Sequence, residues 1–223
     1  MKYPFFASFI VLCLTLMYTI HRTREKEAKR YNDFWDEETR ANNTRRKSLD
    51  DLNYITIPFD DLPMDILPED PVIAEYHRTL HDLSAEPIVN FTGFTNTELK
   101  LQYGAPNIDI LMRYDEAYTI LARTLSQWAS YLYDKEYTSE ARVISEYALS
   151  TVTDVSATYE LLIKIYKDLN CPEKIEELLP YASEIKSLLK SSILEKINNA
   201  IKENLPENST VEDNSLEDSK KQA

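Results

Sequence analysis

The apolar positions between residues 115 and 189 repeat on two scales. Leu125, Trp128, Ala129 and Leu132 fall at i, i+3, i+4 and i+7, which is one face of a helix. Ala141, Ile144 and Ala148 set a second stripe of the same kind. At one fixed offset, from Leu125 to Tyr159, the same order returns. It reads Tyr159, Leu162, Ile163 and Tyr166, then Ile175, Leu178 and Ala182. Each apolar position falls on an apolar position. The pattern predicts two antiparallel helix pairs at about 115–189. They should stack, because neither stripe of a pair can leave water alone. Alanine at 129, 141 and 148 leaves room for close backbone approach, and Trp128 fills the remaining space. Asn170 suits a left-handed helix end, Cys171 a cap, and Pro172 the first turn that follows.

The rest of the chain divides by pattern. Residues 3–20, YPFFASFIVLCLTLMYTI, hold no charge. As a helix they span ~27 Å, close to the ~30 Å of a hydrocarbon core. Met17-Tyr18-Thr19-Ile20 lacks a small-x-small cleavage pattern, so residues 1–21 are expected to be an uncleaved transmembrane anchor. Residues 22–47 contain neither Pro nor Gly and predict a basic juxtamembrane helix. In 48–71, Pro58, Pro63, Pro68 and Pro71 forbid a long helix, and Tyr54 to Phe59 alternates like extended chain. Ile57, Phe59, Leu62, Met64, Ile66 and Leu67 are more apolar than a linker requires. This acidic segment is therefore expected to lie against a helical domain covering 72–204. Asp70-Pro71 predicts a capped helix over 71–84, with Val72, Ile73, Tyr76, Leu80 and Leu83 buried. Both glycines fall in 86–107. Gly93 marks a turn, Thr95 or Thr97 caps a short helix, Gly104 ends it, and Pro106 follows as a stop. Asn90, Thr92, Asn96 and Tyr103 either line a small polar site or satisfy backbone in an irregular turn, and the second reading is preferred. Leu188, Leu189, Ile193, Ile197 and Ile201 predict a closing helix over 187–204. Residues 205–223 are acidic, lack aromatics and are expected to be disordered.

Two antiparallel helices recurring with a period of about 34 residues resemble the tetratricopeptide repeat. The cluster Trp128-Ala129-Leu132 and the small-to-small spacing from Ala141 to Ala148 carry the likeness, while Ile163 and Ile175 stand where small residues are usual. The fold class expected is all-α, with an N-terminal transmembrane helix followed by a helical-hairpin repeat domain. The resemblance implies a groove lined by the first helix of each pair. On this chain that selects Arg123, Ser126, Ser130 and Tyr133, then Glu160, Lys164 and Lys167. Further stretches look like a group of uncharacterised, single-pass membrane-anchored proteins of Gram-positive anaerobic bacteria. They are Phe34-Trp35, Thr44-Arg45-Arg46, Tyr54 to Pro58, Asn90 to Thr97 and Leu101-Gln102-Tyr103-Gly104. That likeness implies a bacterial origin and one N-terminal anchor, and no activity.

Charge narrows the partners. The net charge is −13, unevenly spread, for residues 1–30 carry six Lys/Arg against two acids and 31–223 carry −17. An acidic body repels a phosphate backbone, so nucleic acid is not an expected partner. The basic residues that follow the apolar run favour a single-pass protein of the cell membrane with its soluble part cytoplasmic. The N-x-[ST] triplets at Asn42, Asn90 and Asn208 would matter only on the exported side. Cys13 and Cys171 form no disulfide framework. His77 and His81 lie four apart without a third His or Cys nearby, so no metal site is expected. There is no nucleophile–base pair and no phosphate loop, so neither catalytic residues nor a cofactor are expected. The expectation is a membrane-tethered adaptor that takes a protein or peptide in its groove and meets the lipid bilayer through 3–20. The rival is a structural subunit of a membrane-associated assembly, its helical domain filled by its own 48–67 segment.

Overall fold

The computed structural model describes residues 4–204, with side chains from Ser8 to Glu203. The tail expected over 205–223 lies outside the described residues. Regular structure among them is all helical. The α-helices are α1 (Pro4–Asn42), α2 (Pro71–Ser84), α3 (Asn96–Tyr103), α4 (Ile108–Asp134), α5 (Thr138–Ser150), α6 (Ser156–Asp168), α7 (Leu178–Glu184) and α8 (Lys190–Asn204). Short 3-10 turns occupy Ala105–Asn107 and Pro172–Ile175. The extended stretch 54–59 contributes one antiparallel bridge, Ile55 to Ile88. Two compact units are present, 4–51 with 95–111 and 52–94 with 112–204.

In the first unit α1 runs unbroken from Pro4 to Asn42, so no element boundary separates the expected anchor from the juxtamembrane helix. No helix among the described residues is long and apolar enough to cross a membrane. The anchor expected over 3–20 begins at residues 3–7, whose side chains lie outside the described residues. The remainder, 8–20, is about 20 Å of helix, short of a ~30 Å core. The helix expected to reach 47 stops at Asn42 because the next residues bond to α3 and the turn after it. Thr44 O accepts from Ala105 N at 3.1 Å and Lys47 N donates to Tyr103 O at 3.1 Å. Lys47 Nζ donates to the carbonyls of Leu101 and Gln102, a cation on the last turn of a helix. Buried Asn107 ties the junction: it accepts from Arg46 Nε at 2.8 Å and donates to the carbonyls of Lys47 and Tyr103. Gly104 has φ 96, and a Cβ there would collide with the Arg45 carbonyl oxygen. The Thr95–Glu98 capping box starts α3 as expected. Glu38 of α1 pairs with Lys100 and accepts from Thr97, and these two bonds, the lysine's first, hold its carboxyl below the usual range.

The second unit holds the repeat. The stripe Leu125, Trp128, Ala129 and Leu132 is buried, as are Ala141, Ile144 and Ala148 and every one of their counterparts one period on. Element boundaries recur with the same offset. Asp134 ends α4 and Asp168 ends α6; Thr138 begins α5 and Pro172 begins the 3-10 turn; Ser150 ends α5 and Glu184 ends α7. The turns between helices match bond for bond. Glu136 and Asn170 both have positive φ, 69 and 54. Glu136 N bonds Tyr133 O and Tyr137 N bonds Leu132 O, and likewise Asn170 N bonds Lys167 O and Cys171 N bonds Tyr166 O. This pair of bonds closes a helix whose next residue is left-handed.

The second pair departs from the expected continuous helix. A helix running on from Pro172 would press the Pro180 ring against the Glu176 carbonyl. The chain instead breaks after Ile175 and restarts at Leu178, which puts Pro180 in the first turn of α7. The closing helix also differs, since α8 begins at Lys190 rather than 187, and Leu188 stands 98% exposed with Leu189 exposed beside it. Its buried residues are Ile193, Ile197 and Ala200. These lie one period after Tyr159, Ile163 and Tyr166, so α8 is a third first-type helix in the same register.

In the same unit α2 and the acidic segment pack against α4 and α5. Asp70 caps α2 through Val72 N at 2.9 Å and accepts the Tyr131 hydroxyl of α4 at 2.8 Å. Tyr131 first among these contacts lowers the Asp70 pKa. Ile73, Leu80 and Leu83 are buried as expected. Val72 and Tyr76 do not join them, both being only half-buried. Ile57 and Leu62 of the extended segment enter the core, Phe59 stacks on His81, and Thr56 O accepts the Tyr147 hydroxyl of α5.

Candidate functional site

The first-type helices α4, α6 and α8 are laced along one polar face. The Tyr133 hydroxyl donates to Asp168 at 2.6 Å, Lys196 pairs with Glu160, and Lys167 Nζ lies 2.8 Å from Glu203. The partners are 35, 36 and 36 residues apart, so each bond joins one helix to the next and the helices run in parallel. The residues selected for the groove therefore divide. Tyr133, Glu160 and Lys167 are held by a neighbouring helix. Arg123 and Lys164 are exposed and form no ion pair among the described residues. Ser130 donates back to the Ser126 carbonyl at 2.9 Å. Ser126 itself is buried and forms wall rather than open face.

Arg123 and Ser126 meet again in a pocket of about 380 Å³. Its other lining residues are Tyr118, Thr119, Ala122 and Gln127 of α4, Thr92 of the preceding loop, and Asp154 and Val155 of the α5–α6 turn. The loop is fixed there by backbone chemistry. Asn90 Nδ2 donates to the carbonyls of Thr151 and Val152, and its Oδ1 accepts from Thr92 N. Gly93, at φ 85, would bring a Cβ to 2.6 Å from that of Lys186, whose ammonium lies over the Phe94 ring at 4.3 Å. Asp115 accepts from Phe91 N at 3.0 Å. Burial raises its pKa against that bond, and the charge of Asp154 adds to the rise. Burial also pushes the Tyr118 phenol up to about 12, with its hydroxyl donating to the Thr151 carbonyl at 3.2 Å.

Most of this pocket is hidden from sequence reasoning. Thr92 stands out there, but Asp154, Val155, Tyr118, Thr119, Ala122 and Gln127 do not, because a turn and a loop far apart in sequence bring the walls together. The preferred reading of 86–107 holds for Asn90, whose amide satisfies backbone carbonyls. Asn96 and Tyr103 belong to the first unit and line no wall of the pocket at Thr92. His77 stands edge-on to Trp128 and His81 stacks on Phe59. Among the described residues no group of three His, Cys, Asp or Glu is placed to hold a metal. Comparison of the chain with protein-family models, with curated proteins and with solved structures gives no match.

Proposed function

We propose that this chain is a tethered interaction adaptor whose tetratricopeptide-like helices present the face of α4, α6 and α8 to a protein or peptide. The recurrence of the same helix-closing turn at Glu136 and Asn170 carries this reading, since it repeats backbone geometry as well as hydrophobicity. An array whose first-type helices lie side by side offers an extended binding surface. Arg123 and Lys164 supply free cations on it, suited to an acidic stretch of a partner. The apolar residues 3–20 with the basic residues after them form the tether, and the soluble part stays on the cytoplasmic side.

The test is capture of partners from native membranes by the tagged full-length protein, beside an Arg123→Glu, Lys164→Glu variant that melts like the parent. Loss of the same partner from the variant supports the adaptor. Equal capture by both sinks the groove. A C-terminal reporter active only outside the membrane would reverse the orientation. The structural-subunit reading draws on one observation, that Ile57 and Leu62 of the acidic segment sit in the core. The segment's contacts to Tyr147 of α5 and His81 of α2 involve neither Arg123 nor Lys164, which favours the adaptor.

A further inference from the structure

The pocket beside α4 carries two opposite charges that do not neutralise one another. Arg123 stands exposed on α4 and Asp154 half-buried on the turn before α6. Neither forms an ion pair, with the other or with any described residue. The surface they share is apolar in part, from Tyr118, Ala122 and Val155, and Ser126 adds a hydroxyl. At about 380 Å³ the space suits a small ligand and is too small for a folded segment. A simple anion drawn to Arg123 would face the Asp154 carboxylate, and a simple cation would face the guanidinium. A small ligand bearing both charges answers each with its opposite.

We propose that this pocket binds a short zwitterionic peptide of dipeptide size. Its carboxylate lies toward Arg123, its ammonium toward Asp154, and one apolar side chain rests on Tyr118, Ala122 and Val155. The proposal needs no protein partner and does not depend on the repeat family, so it goes beyond the adaptor reading. A charged hydrogen bond made at each end makes both termini necessary.

The experiment titrates alanyl-leucine into the full chain in detergent and follows heat. N-acetyl-alanyl-leucine and alanyl-leucine amide are run beside it, with the variants Arg123→Gln and Asp154→Asn checked by thermal melting. Capping either end should weaken binding by about tenfold or more in the parent. In Arg123→Gln amidation should no longer matter, and in Asp154→Asn acetylation should no longer matter. Three results overturn the proposal: no heat at millimolar dipeptide, capped forms that bind like the free one, or equal binding of 4-methylvalerate, which would make the pocket an anion site only. Failure of the dipeptide with partner capture intact would leave the adaptor standing, and the reverse outcome would leave the pocket.

Discussion

The His77 ring stands edge-on to Trp128, 5.0 Å between centroids and 80° between planes. The contact joins α2 to α4 at the first copy of the repeat stripe, where Trp128 is fully buried. His77 Nε2 and Trp128 Nε1 lie buried with no hydrogen-bond partner, so shape rather than polar bonding holds this junction. Trp128→Ala should therefore cost about 3–5 kcal/mol, out of the ~5–15 kcal/mol typical of a domain. Thermal unfolding beside Lys164→Ala, which removes an exposed chain, checks it. A tryptophan variant melting with the lysine variant would remove Trp128 from the core.

The same histidine makes stability depend on pH. Burial first, and the nearby His81 second, lower the His77 pKa. Below the ordinary histidine value of about 6.5 the unfolded chain takes up a proton that the folded chain resists. Stability should thus be fully present above that value and fall as pH drops through it toward the folded pKa. Urea midpoints measured at about pH 7.5 and about pH 5.5 should show the fall, and His77→Phe should lessen it.

Tyr118 acts at the other end of the scale. Its phenol is raised from 10.0 to about 12 by burial. The folded chain keeps its proton where the unfolded chain loses it, so this group's contribution is constant below pH ~10 and declines between about 10 and 12. Over that window the loss should approach roughly 2–3 kcal/mol. Spectroscopic titration of the phenols with unfolding curves tests this, and Tyr118→Phe should lessen the alkaline loss while Tyr147, also raised to about 12 by burial, keeps part of it.

Glu136 and Asn170 hold the same left-handed position in the two copies, but only asparagine tolerates it readily. Glu136→Gly should raise stability by about 0.5–1 kcal/mol, and Asn170→Gly by less. Melting temperatures of the two variants decide it. A larger gain at 170 would contradict the turn geometry.

The stripes from Leu125 to Ala182, the Asp70–Pro71 start of α2 and the Thr95 cap are legible in the sequence because each depends on residues a few positions apart. Asn170 is legible for the same reason. Glu136 is not, since its strained backbone is imposed by packing on both sides of the turn. Pro180 is visible, yet its effect depends on where the preceding helix starts. Leu188 and Leu189 read as core by hydrophobicity alone, and only the position of Ile185 and α7 shows that they face water. At the site, Arg123 and Ser126 are reached through the groove that the repeat resemblance implies. Asp154 is not, because its partnership with Thr92 and α4 rests on Asn90 bonding carbonyls at Thr151 and Val152.

In α8 the residue in the register of Trp128 and Leu162 is Lys196. Its ammonium meets Glu160 and its side chain remains part-exposed. The same register position faces an earlier helix in both cases, Trp128 toward α2 and Lys196 toward α6. The third copy therefore meets its neighbour through an ion pair where the first packs one ring against another, and salt should loosen the hold of α8 on α6 while leaving that of α4 on α2 untouched.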